Sequence, residues 1–204
     1  AMDLLDGVLT SEVSVNSTLD ENTVAVYTIT YTVSDDASNT ATVQRTIHVI
    51  DDEAPVLSLN GNVADTIDVN TAYNDAGTTE SDNYDNTLTV NVTSNLDTAA
   101  IGTYTIEYCV TDANGNGPVC VTRTVVVQDT VAPIISLNGN ATETVEVFTV
   151  YTDAGVTHTD NDDDYQITDG GTWTGSTDVV GSYTWIYTAT DAAGNSASVT
   201  RTID

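Results

Sequence analysis

Strict alternation of apolar and polar residues dominates three stretches of the chain, residues 27–35, 104–112 and 183–191. Each stretch ends in Asp and is followed four residues later by Asn, and a second alternating run then carries a single arginine. Alternation with period two is typical of a half-buried strand, and a cluster of Asp, Gly and Asn is typical of a tight turn. The pattern therefore predicts one β-hairpin that occurs three times.

The arginines set the length of the repeat. Arg45, Arg123 and Arg201 are 78 residues apart in both intervals, since 123 − 45 = 78 and 201 − 123 = 78. This spacing is that of a small domain rather than of a solenoid unit of about 20–50 residues. We expect a partial module at residues 1–52, called the first repeat, and complete modules at residues 53–129 and 130–204, called the second and third repeats.

Short alternating segments fill the two complete repeats, and turn signals such as Asn-Gly-Asn at residues 60–62 and 138–140 separate them. About seven short strands at this spacing predict an all-β fold made of immunoglobulin-like antiparallel β-sandwiches. The junctions, residues 49–55 and 127–133, contain no Gly or Ser. We therefore expect sandwiches arranged end to end with little slack, as a semi-rigid rod.

The first repeat contains no counterpart of the front strands of the other two. Residues 3–10 align instead with residues 82–89, in the middle of the second repeat. Without front strands, a sheet edge or a core face is left open. We expect either local disorder there or a partner strand from a neighbouring molecule.

Composition excludes several partners. The chain has 31 acidic residues against three Lys and Arg, a net charge of -28 and a pI near 4.1. Binding to nucleic acid or to an anionic membrane surface is not expected, because both are negatively charged and repel a chain with this net charge. No apolar run is long enough to cross a bilayer, and the absence of lysine excludes a Lys–Asn isopeptide crosslink.

Cys109 and Cys120 are the only cysteines, and they flank the turn of the second hairpin. In register they would face each other at about 5.5 Å between Cα atoms, within disulfide range. The pair predicts a disulfide and an oxidising compartment. A metal-binding or catalytic pair is not expected, because only His48 and His158 could join it.

The arginines share the parity of the residues that the hairpins turn inward, so a carboxylate partner is expected for Arg45, Arg123 and Arg201. In an immunoglobulin-like strand order, we expect the last strand to run toward the Asp-x-x-Asp loop. This predicts ion pairs of Arg123 with Asp85 and of Arg201 with Asp163.

Most acidic residues are aspartates, 31 − 7 = 24 of them. Asp and Asn in tight loops suit Ca²⁺, although a solvated acidic surface is the commoner reason for any single Asp. Because we expect each junction to lie beside the Asp-x-x-Asp loop of its own repeat, Asp3, Asp6, Asp51, Asp52 and Glu53 would converge, and so would Asp82, Asp85 and Asp129. The next module would add its hairpin turn or its Asp-Ala-Gly loop, and a Ca²⁺ ion would neutralise the carboxylates. No EF-hand or nonapeptide motif is present. The candidate ligands are Asp3, Asp6, Asp51, Asp52, Glu53, Asp75, Asp82, Asp85, Asp112, Asn116, Asp129, Asp153, Asp160, Asp163, Asp191 and Asn195.

Catalysis is not expected, because the carboxylate sites recur in each repeat and no nucleophile motif or phosphate-binding glycine loop is present. Two aromatic residues of the third repeat stand out. Trp185 occupies the same repeat position as Ile29 and Ile106 and is expected in the core. Trp173 lies in a loop-like stretch and is either cover for the sandwich rim or an exposed contact for a glycan.

Six short motifs recur along the chain: Ala-Pro, Asn-Gly-Asn, Tyr-x-Asp-Ala-Gly, Asp-Asn-x-Asp, Gly-(Thr/Ser)-Tyr and Tyr-x-x-x-Asp-Ala-x-Gly-Asn. With them the chain resembles the bacterial immunoglobulin-like repeat of pesticidal-crystal-type and other surface proteins, and the related hyalin repeat, whose variant carries the paired cysteines. The first repeat departs from the pattern by lacking its front half.

The resemblance implies a non-catalytic region of a secreted or surface-attached bacterial protein, and with the acidic junctions a calcium-stiffened stalk in adhesion or display. Neighbouring repeats of the same protein are the expected partners, together with a cell-surface or glycan ligand. The alternative is a carbohydrate-binding accessory region of a secreted polysaccharide-acting enzyme.

Overall fold

The computed structural model describes residues 2–3, 7–8, 13–162 and 164–204, the first two pairs by their backbone alone. The described residues contain strands and no helix, which confirms the all-β class. The strands are β1 (Met2–Asp3), β2 (Gly7–Val8), β3 (Ser14–Asn16), β4 (Ala25–Ser34), β5 (Thr40–Val49), β6 (Val56–Leu59), β7 (Ala64–Asp68), β8 (Thr78–Ser81), β9 (Val90–Ser94), β10 (Gly102–Val110), β11 (Val119–Gln128), β12 (Ile134–Leu137), β13 (Thr142–Glu143), β14 (Val156–Thr159), β15 (Tyr165–Gly171), β16 (Tyr183–Asp191) and β17 (Ser196–Ile203).

The chain divides into two compact units. The first comprises the described residues up to Val56 together with Glu80–Thr89 and Val110–Val119. The second comprises Leu57–Thr79, Val90–Cys109 and Cys120–Asp204. Each unit is therefore assembled from parts of more than one sequence repeat.

The first repeat forms the three-stranded sheet β3-β4-β5, in addition to the short pair β1-β2. Strands β4 and β5 are the predicted hairpin, with Ile29 opposite Arg45 and Val33 opposite Ala41. None of the residues 13–50 is buried, and Val43 is 65% exposed. The described residues of this hairpin therefore bury no apolar side chain as fully as the cores of the other two repeats do.

The second repeat contains the four-stranded sheet β7-β11-β10-β9 and the two-stranded sheet β6-β8. Strand β7 runs parallel to β11, from Ala64 opposite Thr124 to Asp68 opposite Gln128. Alternate residues of β10 and β11 are buried, as period-two strands require. The buried apolar side chains of this repeat are Leu57, Val69, Ile106, Tyr108, Val110, Val125 and Val127.

The third repeat has the same plan, with the sheet β13-β17-β16-β15 and the two-stranded sheet β12-β14. Ile135 of β12 packs with Tyr187 and Ala189 of β16, so the core lies between the two sheets. Trp185 packs against this cluster and stacks on Tyr187 at 5.9 Å between ring centroids. The predicted β-sandwich is confirmed, and Trp185 lies half-buried against the core cluster.

One prediction about strand direction is wrong. The Asp-x-x-Asp loop lies beside the hairpin turn, where the last strand begins, so that strand runs away from the loop. In the third repeat Tyr165, just after the loop, pairs with Asp191 at the turn. In the second, the Ala113 N–H in the turn donates to Asp85 Oδ2 at 2.7 Å.

Candidate functional site

Each hairpin turn is closed by its own Asp and Asn. In the second repeat, Asn116 donates its backbone N–H to Asp112 Oδ1 at 2.7 Å and its side-chain amide to Asp112 Oδ2 at 2.6 Å. Burial alone would raise the pKa of Asp112, but the hydrogen bonds from Asn116 outweigh it and lower the pKa. Asp35 with Asn39 and Asp191 with Asn195 repeat the arrangement.

Four carboxylates of the first compact unit meet beside the second hairpin turn. Asp51, Asp82, Asp85 and Asp112 each place an oxygen within 4.8 Å of the others, and we call them the first acidic cluster. Asp82 Oδ1 accepts the N–H of Asp85 at 2.8 Å. Asp82 Oδ2 is buried and has no hydrogen-bond partner.

The second hairpin turn also binds Asp51, which is the residue of this cluster that comes from the junction. Asn116 donates its side-chain amide to the backbone oxygen of Asp51 at 3.2 Å, and Asn114 donates to Asp51 Oδ2 at 3.1 Å. Asp51 ends the first repeat, whereas the other three carboxylates belong to the second. The cluster therefore joins a junction to the loop and turn that follow it in the chain.

A second acidic cluster, in the second compact unit, consists of Asp129, Asp160 and Asp162, again with oxygens within 4.8 Å of one another. Asp129 is only 7% exposed. Its Oδ1 accepts the side-chain amide of Asn161 at 2.9 Å, while its Oδ2 is buried without a partner. Asp160 Oδ2 and Asn161 Oδ1 are buried without partners as well.

The second cluster is electrostatically unfavourable as it stands. Burial raises the pKa of Asp160 despite the Asn161 N–H that it accepts, and the charges of Asp162, Asp129 and Asp191 raise it further. Buried oxygens without hydrogen bonds are costly, and oxygens that face one another repel. A divalent cation removes both costs, and Ca²⁺ takes six to eight such oxygen ligands.

The structure groups the predicted ligands differently from the sequence. Asp82 and Asp85 meet Asp51 rather than Asp129, because the Asp-x-x-Asp loop lies at the end of the repeat that the preceding junction enters. Asn116 and Asn195 bind the carbonyl oxygens of Asp51 and Asp129 instead of standing free as ligands.

Several predicted ligands lie elsewhere. Asp52 and Glu53 are exposed and outside both clusters, and the Asp191 carboxylate is held by Asn195. Asp6, Asp163 and the side chain of Asp3 fall outside the described residues. Sequence reasoning missed Asp162, although its place between the two aspartates of the Asp-x-x-Asp loop could have indicated it.

Asp75 and Asp153, also predicted as calcium ligands, bind arginines. Arg123, with its side chain 1% exposed, lies 3.2 Å from Asp75 and 3.5 Å from Asp65. It also donates to the carbonyl oxygens of Asn60 at 2.5 Å and Gly77 at 3.2 Å. The predicted partner Asp85 is wrong, because Asp75 and Asp65 hold the guanidinium and Asp85 belongs to the first acidic cluster.

Arg201 makes the equivalent contacts in the third repeat. Its fully buried side chain pairs with Asp153, itself only 6% exposed, and donates to Asn138 O at 2.5 Å and Asn140 O at 3.1 Å. Asp153 Oδ1 also accepts the Tyr187 hydroxyl at 2.5 Å. The pKa of Tyr187 is raised, first by burial and then by this bond to Asp153. We call this set of contacts the arginine lock.

Arg45 has no such lock in the described chain. Its side chain is exposed, and no described carboxylate lies within 4.0 Å of it. Asp75 and Asp153, which hold Arg123 and Arg201, belong to the front half of each repeat, in the Tyr-x-Asp-Ala-Gly motif. Residues 1–52 contain no counterpart of that motif.

The predicted disulfide between Cys109 and Cys120 is confirmed. The Cα atoms are 4.2 Å apart, closer than the expected distance and typical of a non-hydrogen-bonded pair. The same register position holds Thr188 opposite Ser198 in the third repeat, where the two hydroxyls are 2.8 Å apart. The disulfide thus replaces a hydroxyl pair.

Trp173 is half-buried rather than exposed. Its ring packs edge-on against Tyr151 at 5.6 Å and Tyr183 at 5.7 Å between centroids. This arrangement is that of an aromatic cover over the sandwich rim.

Comparisons with known proteins agree on the repeat. The family profile of the bacterial surface protein Ig-like domain matches residues 1–49, 57–127 and 135–204. An uncharacterized 81.3 kDa protein of Acholeplasma phage L2 is 30% identical over 224 residues, which cover 100% of this chain and 29% of the phage protein. Hyalin of Strongylocentrotus purpuratus is 29% identical over 133 residues, or 61% of this chain and 11% of hyalin.

Among solved structures, the protocadherin GammaB4 extracellular domain matches with a TM-score of 0.35 and 17% identity over 94% of this chain and 41% of that one. A likeness at this level says nothing about what the chain binds. In the part of the chain that the structure describes, no helix is long and apolar enough to cross a membrane.

Proposed function

The chain belongs to the bacterial surface protein Ig-like domain family, and we propose that its non-catalytic repeats form a stalk in which Ca²⁺ stiffens the junctions. We take the repeats to be one partial module, residues 1–52, and two complete ones, residues 53–129 and 130–204. The observation that carries the proposal is the buried, unpartnered Oδ2 of Asp129, which faces two further carboxylates in the second acidic cluster.

Both clusters connect the same three kinds of segment. Each contains the Asp of a junction and two aspartates of the Asp-x-x-Asp loop, and the Asn of a hairpin turn binds the backbone oxygen of the junction Asp. A cation bound there links the end of one repeat to the beginning of the next. Such a link reduces the motion of the junction, because six to eight oxygens must keep their places around the ion.

Repulsion within the clusters also favours a cation. The first cluster contains four carboxylates and the second contains three, and the chain offers no lysine to neutralise them. Two like charges about 4 Å apart repel by about 4 kcal/mol at an effective dielectric constant near 20. Ca²⁺ replaces that repulsion with attraction, so the repeats would be stable where Ca²⁺ is abundant, as it is outside cells.

The disulfide supports an extracellular location, since such bonds persist in oxidising compartments. We propose that the stalk serves in adhesion or display on a bacterial surface or in a secreted protein. A carbohydrate-binding accessory region is the weaker candidate, because its best aromatic, Trp173, packs between two tyrosines.

Calcium binding can be measured directly by isothermal titration of the metal-stripped chain with CaCl₂. We expect two saturable sites. Asp82→Asn should remove or weaken one and Asp129→Asn the other, because each residue contributes an unpartnered oxygen to its cluster. Asp169→Asn is the matched control, since Asp169 is exposed on β15 and outside both clusters.

The outcome that contradicts the proposal is a titration without saturable binding, or binding that all three variants leave unchanged. In that case the clusters are solvated acidic surface.

A further inference from the structure

Phe148 has a conformation that phenylalanine seldom adopts. It has φ = 59° and is 79% exposed, in the turn between β13 and β14. The equivalent residue of the second repeat is Asn70, with φ = 60°. Both residues donate their N–H to a threonine carbonyl, Thr98 for Asn70 and Thr177 for Phe148. The two turns are the same, but only Asn is suited to the left-handed conformation.

Other large apolar side chains lie exposed in the neighbouring turns of the third repeat. Val150 is 94% exposed, Val179 67% and Val180 85%. We call Phe148, Val150, Val179 and Val180 the closing surface, because they lie in the turns at the end of the repeat away from the hairpin turn. Contiguous exposed apolar residues typically mark an interaction surface.

The earlier repeats show what contacts the same positions. Val24 stands where Val180 stands, three residues before the first tyrosine of the hairpin. Its N–H donates to the hydroxyl of Tyr84 at 3.2 Å. Asn70, in the place of Phe148, donates its amide to the carbonyl oxygen of Asn161 at 2.7 Å. At both junctions the contact comes from the middle of the following Asp-Asn-x-Asp loop.

The third residue of that loop differs between the two junctions, and so does the exposure of the apolar residue at the closing position. Where it is Tyr84, the facing Val24 is half-buried. Where it is Asp162, the equivalent Ile101 remains 53% exposed. The apolar closing position is thus covered at the junction where the loop carries Tyr and exposed at the junction where it carries Asp, and the closing surface of the third repeat is more apolar than that of the second.

We infer that the closing surface docks the Asp-Asn-x-Asp loop of a further Ig-like repeat in the same polypeptide, with an aromatic residue at x. Phe148 and Val180 are the side chains that this loop covers. The inference rests on the proposed function only in treating the repeats as a tandem array, and it does not require Ca²⁺.

A groove beside the surface provides a second readout. It has a volume of about 270 Å³ and is lined by Trp173, Val179, Val180 and Tyr183, among others. Because Trp173 lies in this groove, a loop that covers Val180 also excludes water from the indole. Its fluorescence emission should shift to shorter wavelength on docking.

The test uses a longer chain in which a second copy of residues 49–129 follows Asp204 directly. Asp204 occupies the repeat position of His48, three residues after the arginine, so the appended copy continues in register. Asp52 of this copy is changed to Thr, because the hydroxyl of Thr130 at that position donates to Asp68 Oδ1 at 2.7 Å and the third repeat has Glu146 in place of Asp68.

Amide hydrogen exchange of residues 144–150 and 177–181 is then measured in EDTA and in CaCl₂. We expect exchange in the longer chain to slow by roughly tenfold or more even in EDTA, since burying one or two apolar side chains supplies at least that factor. Tyr84→Ala in the appended copy should abolish the added protection. Phe148→Gly should remove most of it at residues 177–181 while keeping the turn, because glycine accepts the left-handed conformation and offers the loop no side chain.

Three results would overturn the inference. The appended repeat could leave exchange and Trp173 emission unchanged, or Tyr84→Ala could protect as well as Tyr84 does. Alternatively, protection could appear in the original chain as its concentration rises, which would assign the surface to a second copy of the molecule. Protection in EDTA together with no calcium binding would separate this inference from the calcium proposal.

Discussion

Arg45 and Arg201 occupy the same position of the same hairpin, and their surroundings differ completely. Each arginine pairs with the residue that stands two positions after the first tyrosine of the hairpin, which is Ile29 for Arg45 and Trp185 for Arg201. The side chain of Arg201 is fully buried and paired with Asp153, whereas Arg45 is exposed. The hairpin sequence alone therefore does not decide whether its arginine is buried.

The difference shows what the front half of a repeat contributes. It supplies the carboxylate of the Tyr-x-Asp-Ala-Gly motif and the carbonyl groups of the preceding strand and turn, such as Asn138 O and Asn140 O around Arg201. A buried guanidinium is tolerated only when its charge is paired and its N–H groups are bonded. The arginine lock thus ties the front of the sandwich to its last strand.

The two locks are not equally complete. Arg123 Nε is buried without a partner, while Arg201 Nε donates to Asn140 O at 3.1 Å. Asp75 is 30% exposed and Asp153 only 6%. The second repeat compensates with its disulfide and with a second carboxylate, Asp65, near the guanidinium.

Replacing the arginine gives the largest expected effect. Arg201→Met should destabilise the third repeat by about 3–5 kcal/mol, because the buried Asp153 then lacks its counterion. Arg45→Met should change stability by less than about 0.5 kcal/mol, as for other exposed side chains. Both are measured by denaturant unfolding, with the fluorescence of Trp173 and Trp185 reporting the third repeat. Equal effects of the two substitutions on stability would contradict the difference between the surroundings of Arg201 and Arg45.

The disulfide position gives the next effect. Replacing Cys109 and Cys120 by Ser should destabilise the second repeat by about 3 kcal/mol or somewhat less, because an 11-residue separation closes only a short loop. The double substitution Thr188→Cys and Ser198→Cys should form a disulfide in the third repeat and stabilise it by a similar amount. Mass spectrometry and thermal unfolding before and after reduction check both. A third repeat whose cysteines stay reduced in air would contradict the equivalence of the two positions.

Acid should weaken the arginine lock. Burial would raise the pKa of Asp153, but hydrogen bonds from Tyr187, Gly155 and Tyr151 and the charge of Arg201 lower this pKa below its usual range. A lowered folded-state pKa gives stability that is present above the unfolded-state pKa and is lost as pH falls through the folded-state pKa. Unfolding of the third repeat followed from pH 7 to pH 2 should therefore show a loss below about pH 4.

Asp153→Asn removes that group and should flatten the loss of stability below pH 4 while lowering stability at pH 7. Asp169→Asn, on the exposed face of β15, is the control and should leave the acid transition where it is. An unchanged acid transition in Asp153→Asn would show that other carboxylates govern it.

The smallest expected effect concerns the turn residue. Phe148→Asn should stabilise the isolated chain by about 0.5–1 kcal/mol, because Asn accepts the left-handed conformation more readily than Phe. Asn70→Phe in the equivalent turn should destabilise by at least as much, since it also removes the hydrogen bond to Asn161. Thermal unfolding of both variants gives the comparison, and a loss of stability in Phe148→Asn would mean that Phe148 already packs within the chain.

The fold could be predicted from the sequence because period-two alternation and turn residues are local signals. The disulfide followed from the same register. The arginine partners could not be found in this way, because Asp153 lies 48 residues before Arg201 and the pairing depends on strand direction. That direction was inferred wrongly, and the error also misplaced Asp82 and Asp85 relative to Asp129.

The sequence predicts that acidic clusters form at the junctions, but it predicts only some of the residues in each cluster. The junction aspartates and the Asp-x-x-Asp loops are visible in the sequence, and Asp51, Asp82, Asp85, Asp112, Asp129 and Asp160 do meet in two groups. Asp75 and Asp153 were predicted as ligands too, but they belong to neither cluster. Only the structure shows that a buried arginine, and not a cation site, holds those two carboxylates.

Thermal unfolding of the chain and of Asp160→Asn, in EDTA and in CaCl₂, tests the central claim of cation-bound junctions most directly. Burial, and after it repulsion from the neighbouring carboxylates, raises the pKa of Asp160, so without calcium Asp160→Asn should melt at a higher temperature than the parent chain. In CaCl₂ the parent should gain stability and the variant should melt at the lower temperature, because it has lost a ligand. The same order of melting temperatures in both conditions, with no gain for the parent in CaCl₂, would contradict the account.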